Sequence, residues 1–199
     1  MTAILTNLRN AVLSGFALAA VLFAMYYSHG DYDGYAFSQF FVRWLHVLSG
    51  IMWVGLLWYF NFVQIPNMPN IPDEQKPAIG KVIAPAALWW FRWASVATIF
   101  TGLVVAYLNE YLYHALSLGL IEDSTTGHRM IGIGMWIGII MFINVWLVIW
   151  PNQKKALGIV EADNETKAAA ARKAMLFSRK NTILSVPMLF AMVSAQNLY

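Results

Sequence analysis

The sequence predicts an all-α integral membrane protein, built as a bundle of five transmembrane helices. The 199-residue chain is 59% hydrophobic and only 12% charged, which is about half the charge of a soluble domain. Its apolar residues also fall in long blocks rather than in the short stripes of soluble helices. We therefore expect residues 1–199 to form a single membrane domain with the lipid bilayer as its solvent and partner.

Five apolar blocks are long enough, or nearly so, to cross a bilayer, since a span needs roughly 20 residues at about 1.5 Å per residue. The first and last blocks are marginal in length. The first could be a signal peptide, but no convincing small-x-small cleavage site follows it, so we interpret it as a retained helix. The predicted spans are 11–28, 36–64, 83–108, 130–150 and 181–198.

Lysine and arginine placement predicts the orientation of the bundle. The link before the fifth span holds Lys154, Lys155, Lys167, Arg172, Lys173, Arg179 and Lys180. The link before the third span holds Lys76 and Lys81, whereas the opposite links hold only Arg43 and Arg129. The positive-inside rule then predicts a bacterial inner membrane protein with a cytoplasmic N-terminus and a periplasmic C-terminus. The basic residues favour lipid headgroups rather than nucleic acid as partners, and the oligomeric state is left open.

The residues before the fifth span predict a helical extension on the cytoplasmic side. Residues 164–180 are rich in alanine and straight-chain residues, which favour helix. Asp163 or Asn164 could cap this helix. Pro187 should kink the span that follows, with Ser185 placed to bond a freed backbone group.

The second and fourth spans resemble each other, which predicts an internal duplication. The matched residues are His46 and His128, Gly50 and Gly132, Trp53 and Trp136, and Asn61 and Asn144. Both spans run in the same direction, as in a parallel repeat about an axis along the membrane normal. Gly134 is an extra residue in the second copy, and it rotates an ideal helix by about 100° unless a bulge absorbs it. We expect a duplicated helix pair to form a four-helix core with the first span outside it, although such patterns also recur by chance.

The absence of cysteine limits the cofactors of the chain. Disulfides, iron–sulfur clusters, thiolate metal sites and covalently attached c-type haem are excluded. Histidine, methionine and carboxylates remain as metal ligands. No Gly-rich phosphate loop, nucleophile triad or pair of catalytic carboxylates is visible in the sequence.

His46 and His128 are the candidate cofactor ligands. His46 lies roughly two to three turns inside its span, and a titratable residue at that depth predicts a function. Gly50 and Trp53 share its helical face, where a small residue lets a flat ligand approach the backbone. His128 begins the fourth span, with Gly132 one turn below it. The two histidines fit bis-imidazole ligation of a non-covalent b-type haem between helices, although each could instead serve packing alone.

Four further residues have weaker claims. Arg43 and Arg129 are near the histidines in sequence and could pair with haem propionates or extend to lipid phosphates. His29 and His114 lie at helix ends on the same side, so a metal site with three or four histidines is an alternative. Arg92 lies inside the third span, where a cation needs a carbonyl, an amide, an aromatic face or an anionic ligand as its partner.

Several longer motifs resemble one known family. They are Arg43-Trp44-Leu45-His46, Gly50-Ile51-Met52-Trp53-Val54-Gly55, Tyr59-Phe60-Asn61-Phe62-Val63-Gln64, Ala87-Leu88-Trp89-Trp90-Phe91-Arg92-Trp93, Trp150-Pro151-Asn152-Gln153-Lys154 and Ser178-Arg179-x-Asn181-Thr182. Across residues 35–194 the chain is similar to the membrane domain of the bacterial membrane-bound urate hydroxylases, the urate oxidase N-terminal family. The resemblance implies urate oxidation in purine breakdown, with electrons taken by a c-type cytochrome domain in longer members. The chain has no Cys-x-x-Cys-His, so it resembles a short form without that domain.

Three functions remain open at this point. The first is a membrane haem protein that transfers electrons to a separate acceptor. The second is an oxidoreductase that oxidises urate with a periplasmic cytochrome c as partner. The third is a non-catalytic accessory subunit of a larger respiratory complex.

Overall fold

The computed structural model describes residues 5–199, which contain helices and no strand. The predicted all-α class is therefore confirmed. In chain order the elements are α1 (Leu8–Ser28), α2 (Gly34–Asn70), α3 (Lys76–Leu108), the short α4 (Leu112–Leu116), α5 (Thr126–Ala156) and α6 (Asn164–Asn197).

Helices α1, α2, α3 and α5 are each long and apolar enough to cross a membrane, which confirms a helical membrane protein. Helix α6 is not among these four, so the fifth span stays a prediction. Its surface nevertheless has the polarity of a helix in lipid, with small or polar side chains inside and apolar ones outside. The buried positions include Ser178, Asn181, Ser185 and Ser194, and the exposed positions include Ile183, Val186, Phe190 and Val193.

The link between α2 and α3 is shorter than the sequence suggests. The predicted second span ended at residue 64, but α2 continues through Ile65–Asn67 and a 3₁₀ turn at Met68–Asn70. Helix α3 then begins at Lys76 rather than near residue 83. Pro66, Pro69 and Pro77 each stand in the first turn of a local helical segment, and Pro72 lies in the link itself. Pro77 stands at the start of α3, where its missing N–H is not needed.

Helices α2 and α5 share an irregularity at matched positions. Each changes from α- to π-helical hydrogen bonding for six residues, Tyr59–Gln64 in α2 and Asn144–Ile149 in α5, just before an X-Pro-Asn sequence. A π-turn adds a residue to the helix without breaking it. A third π-helical segment, Ile79–Ile83, precedes Ala84-Pro85 in α3. The π-turns therefore accompany X-Pro sequences, and the duplication stays a prediction.

The chain divides into two compact units, residues 1–40 and residues 41–199. In the first unit, aromatic side chains pack between the end of α1 and the start of α2. Phe23, Tyr26, Tyr27, Tyr32 and Phe37 form this cluster. The second unit contains the rest of α2 and all of α3 to α6.

The core of the second unit is built by α2, α3, α5 and α6 together, as expected for a four-helix core. Leu57, Phe91, Val145 and Met188 represent the four helices in one buried apolar cluster.

Side-chain hydrogen bonds tie α6 to both copies of the repeated helix. Asn61 of α2 donates to Ser178 Oγ at 2.7 Å. Asn181 donates to the carbonyl of Met141 and accepts from Asn144, both in α5 and both at 2.9 Å. Asn181 is fully buried, so these bonds satisfy polar groups that lipid or apolar side chains could not.

Arg92 meets one of the four partners anticipated for it. Its guanidinium lies over the ring of Trp150, 3.4 Å from the ring centroid. A cation over the face of tryptophan is attracted by the ring quadrupole, most strongly where water is excluded. The contact joins α3 to the end of α5.

Helix α6 begins where the sequence predicted. Asp163 is its N-cap, and its carboxylate accepts from the Thr166 amide at 2.7 Å and from the Thr166 hydroxyl at 2.9 Å. Pro187 lies inside the helix, and Ser185 donates to the carbonyl of Thr182.

Candidate functional site

The imidazole of His46 packs directly against the backbone of α3. Its Nδ1 lies 3.0 Å from the carbonyl oxygen of Thr98 and 3.2 Å from Thr101 Oγ1. A Cβ added to Gly102 would lie 2.9 Å from the Cε1 of His46, so only glycine leaves room for the ring. Gly102 therefore fixes the position of the imidazole.

The partners of His46 determine its tautomer. A carbonyl oxygen only accepts, and the Thr101 hydroxyl already donates to the carbonyl of Ala97 at 2.6 Å. His46 Nδ1 must then carry the proton, which leaves the lone pair on Nε2. Orientation of a histidine by an Nδ1–H bond to a backbone carbonyl is the usual arrangement behind a metal-ligating Nε2.

Two buried donors flank His46 on the same face of α2. Within the described chain, Arg43 Nε and Trp53 Nε1 are both shielded from solvent and have no hydrogen-bond partner. Positions 43, 46, 50 and 53 follow helical spacing, and a Cβ on Gly50 would meet nothing within 4 Å. This face therefore combines open space with unsatisfied donors, which suits a ligand with acceptor atoms.

His128 has a different local role from His46. It is the third residue of α5 and closes a capping box with Thr125. The Thr125 hydroxyl accepts from the His128 amide at 3.1 Å, and His128 Nδ1 accepts from the Thr125 amide at 3.2 Å. Because Nδ1 accepts here, the neutral ring carries its proton on Nε2.

Gly132 permits close packing of α4 on α5. A Cβ at Gly132 would lie 3.2 Å from the Cα and 3.1 Å from the carbonyl carbon of Ala115, and nearer still to its oxygen. Ala115 of α4 thus occupies the space that the sequence analysis assigned to a flat ligand. Gly50, its counterpart in α2, has no such neighbour.

Five aromatic and polar side chains gather at one end of the second unit, which we call the histidine end: Arg43, Asn109, Tyr111, His114 and His128. His114 and His128 stack with ring centroids 4.6 Å apart, and Tyr111 stacks beside His128 at 6.4 Å. Burial raises the pKa of Tyr111, and the positive charge of nearby Arg43 opposes that shift. Arg43 in turn donates to Asn109 Oδ1 at 2.9 Å.

The other predicted residues, Arg129 and His29, make different contacts. Arg129 is exposed, and its Cβ packs on Gly119. His29 is the C-cap of α1 in the first unit, with Nδ1 2.6 Å from the carbonyl of Met25. Among residues 5–199, no three His, Asp or Glu side chains are grouped as a metal site.

Four residues of the site were not predicted from the sequence: Thr98, Gly102, Asn109 and Tyr111. Thr98 contributes through its backbone carbonyl, which carries no sequence signal. Gly102 could have been suspected as a small residue in a span. Tyr111 precedes a five-residue helix that lies between two predicted spans.

These features define the class of the protein: a helical membrane protein whose long helices enclose a core with an oriented, partly buried histidine. Residues 124–198, which include α5 and α6, match the model of the urate oxidase N-terminal family. The match confirms, for this part of the chain, the resemblance predicted from the sequence. Comparisons with curated proteins and with solved structures gave no match.

Proposed function

We propose that the protein is a membrane-embedded redox protein, related to urate oxidase, that holds a non-covalent b-type haem through His46. One observation carries this proposal: His46 Nδ1 donates to the Thr98 carbonyl, so that Nε2 presents a lone pair. When bound, haem supplies a one-electron couple that a protein without cysteine or redox-active clusters otherwise lacks. His46 and Gly102 orient the ligand, and the surrounding helices exclude water.

His128 is the candidate for a second residue that would hold the haem. To do so, it would have to give up its capping bond to the Thr125 amide. Ligation through Nε2 puts the proton on Nδ1, which can then no longer accept from the Thr125 amide. Loss of one such bond costs about 1 kcal/mol, a small term beside an iron–imidazole bond. His46 could also hold the haem alone, which would leave the capping bond of His128 intact.

Arg43 is the better of the two arginines for an anionic ligand group. Its Nε is shielded and without a partner, whereas Arg129 is exposed. A guanidinium with a free, buried N–H gains more from a carboxylate than one that is fully hydrated. We assign Arg43 to one haem propionate and Arg129 to lipid phosphate or solvent.

The distribution of lysine and arginine supports an orientation in which the histidine end faces the periplasm of a bacterial inner membrane. An electron acceptor such as a periplasmic cytochrome c, or a larger respiratory complex, would then approach the same end as the haem. That placement shortens the path for electron transfer.

The haem proposal is tested on protein purified in mild detergent. We expect a Soret band that shifts on reduction with dithionite, and a haem content of at least one per chain by pyridine haemochrome assay. His46→Ala should lose the band, whereas His29→Ala, a control in the first unit, should keep it. A His46→Ala variant that retains its full haem content would overturn the assignment.

A second function is favoured by the groups at the histidine end. Arg43, Asn109, Tyr111 and the stacked pair of histidines combine hydrogen-bonding groups with flat ring surfaces. Such a set suits a planar heterocyclic anion, and we propose urate or a related purine as the substrate, with the electrons passed to an external cytochrome c.

This second function predicts reduction of added cytochrome c by haem-loaded protein when urate is supplied. Tyr111→Phe should weaken turnover more than Tyr113→Phe, because Tyr113 is exposed and outside the stack. Absence of turnover in protein that has its full haem content would reject urate oxidation and leave the haem proposal intact.

A further inference from the structure

A stripe of cations runs along the exposed face of α6, away from the histidine end. We call Arg172, Lys173, Arg179 and Lys180 the basic stripe. The two pairs are seven residues apart, or about 10 Å along the helix, and therefore lie on one face. All four side chains are exposed, while Ala170, Ala174, Ser178 and Asn181 bury the opposite face.

The basic stripe has no acidic partner within residues 5–199, where the recorded ion pair is Lys76 with Asp73. Lys180 lies over the ring of Phe177 at 4.3 Å from its centroid, which holds its ammonium close to the helix. Four neighbouring positive charges without counter-charges create a local potential that attracts anions.

The stripe also forms the wall of a groove with apolar side chains. The groove is a shallow, open depression on the surface of α6 alone, and Ala169, Leu176, Phe177 and Ile183 line it beside the four cations. A site for a small hydrated anion would not need this apolar lining. A molecule with a charged head and hydrocarbon chains would use both parts.

The helix changes from cationic to apolar surface immediately after the stripe. Ile183, Val186, Phe190 and Val193 are all exposed, and no charged residue follows Lys180 in α6. Cations beside such a surface occupy the depth at which lipid phosphates lie. The groove is thus continuous with the hydrocarbon-facing side of the helix.

We propose that the basic stripe is a binding site for an anionic phospholipid. The two pairs of cations together hold its phosphodiester group, and the acyl chains lie along Leu176 and Ile183. Arginine supplies the paired N–H groups that suit phosphate oxygens, while lysine adds charge. The site is independent of the haem and of the proposed substrate.

The test measures lipid binding to the full-length protein in detergent by native mass spectrometry and by thermal unfolding. Phosphatidylglycerol should bind and raise the unfolding temperature, and phosphatidylcholine should do neither at the same concentration. Replacing all four cations by glutamine should weaken phosphatidylglycerol binding at least about twentyfold, since each cation near the surface contributes roughly fivefold.

The matched control replaces Lys81, Lys154, Lys155 and Lys167 by glutamine, which removes the same charge elsewhere. This control should keep its affinity for phosphatidylglycerol, and equal weakening of the two variants would overturn the proposal. A second variant, Leu176→Gln with Ile183→Gln, keeps all cations and should weaken lipid binding but not phosphate binding.

Inorganic phosphate separates a lipid from a soluble anion. If the groove serves lipid, phosphate alone should stabilise the protein little and should displace phosphatidylglycerol only at high concentration. Stabilisation by phosphate equal to that by phosphatidylglycerol would assign the groove to a soluble anion and overturn the lipid site. An Arg172→Lys, Arg179→Lys variant, which keeps the charge, should retain most of the binding and shows that the helix still folds.

Discussion

Helices α2 and α5 carry the same sequence pattern but use their histidines differently. In α2, His46 turns toward α3 and rests on Gly102, with its Nε2 lone pair unused. In α5, His128 closes a capping box and stacks on His114. The difference arises because the short helix α4 packs against the start of α5, whereas the region around Gly50 is open.

The two copies are more alike at their other end. Both have a π-turn before an X-Pro-Asn sequence, and both place an asparagine there that bonds to α6. Backbone irregularities and helix-to-helix hydrogen bonds are thus shared, while the environment of the histidine is not. A repeat in sequence therefore does not imply equivalent ligands.

The largest expected effect compares the matched glycines. In Gly132→Ala the new methyl group meets the backbone of Ala115, which cannot move aside as a flexible side chain would. We expect a loss of about 1–3 kcal/mol in stability. Gly50→Ala meets nothing and gains up to about 1 kcal/mol in helix propensity. Thermal unfolding in detergent, followed by tryptophan fluorescence, should separate the two, and equal shifts would contradict the difference described above.

A second comparison concerns the side-chain hydrogen bonds from α6 to the two copies of the repeated helix, α2 and α5. Asn181→Ala removes two bonds to α5, and Ser178→Ala removes one bond to α2. Hydrogen bonds between membrane helices contribute about 0.6 kcal/mol on average and up to about 1.7. Asn181→Ala should therefore lose roughly twice as much stability as Ser178→Ala. Urea or SDS unfolding curves measure this, with Asn197→Ala as an exposed control. A larger loss in Ser178→Ala would contradict it.

A smaller effect should distinguish the histidines themselves. His128→Ala frees the Thr125 amide and weakens the start of α5 by about 0.5–1 kcal/mol. His46→Ala should leave that cap unchanged. Hydrogen exchange of the peptide that covers residues 123–131 is the measurement. Faster exchange in His46→Ala than in His128→Ala would show that the cap is not made by His128.

The smallest expected effect is a difference in pH dependence between two N-caps. A carboxylate, Asp163, caps α6, whereas a hydroxyl, Thr125, caps α5. Hydrogen bonds from Thr166 lower the pKa of Asp163 below that of the free carboxyl. The stabilisation is therefore present above the unfolded pKa, near about 3.9, and is lost as the pH falls through the lowered folded pKa. The protection of residues 164–168, after correction for the pH dependence of intrinsic amide exchange, should fall below about pH 4 in the native protein, while Asp163→Asn should show no such pH step.

The sequence predicted the elements whose signals are local. Block length and composition identified the helices of the membrane bundle, and Asp163 followed by an alanine-rich stretch correctly marked the start of α6. The extension of α2 to Asn70 was missed because prolines in successive first turns look like a loop.

The site was less accessible to sequence reasoning because its contacts join distant residues. His46 was identified from its depth, but its tautomer depends on a backbone carbonyl 52 residues away. The role of Gly132 depends on α4, a helix too short to show periodicity. Arg92 was correctly expected to need an aromatic or polar partner, but Trp150 could be chosen only once α3 and α5 were placed together.

The polarity of α6 has a consequence for how the protein is made. Its last half carries Asn181, Thr182, Ser185 and Ser194, and α6 is not among the four helices that are long and apolar enough to cross a membrane. Its partners Trp58, Asn61 and Asn144 belong to helices synthesised earlier. We expect α6 to enter the bilayer by docking onto α2 and α5, so that biogenesis is completed by assembly and substitutions at these partners reduce insertion of the last helix.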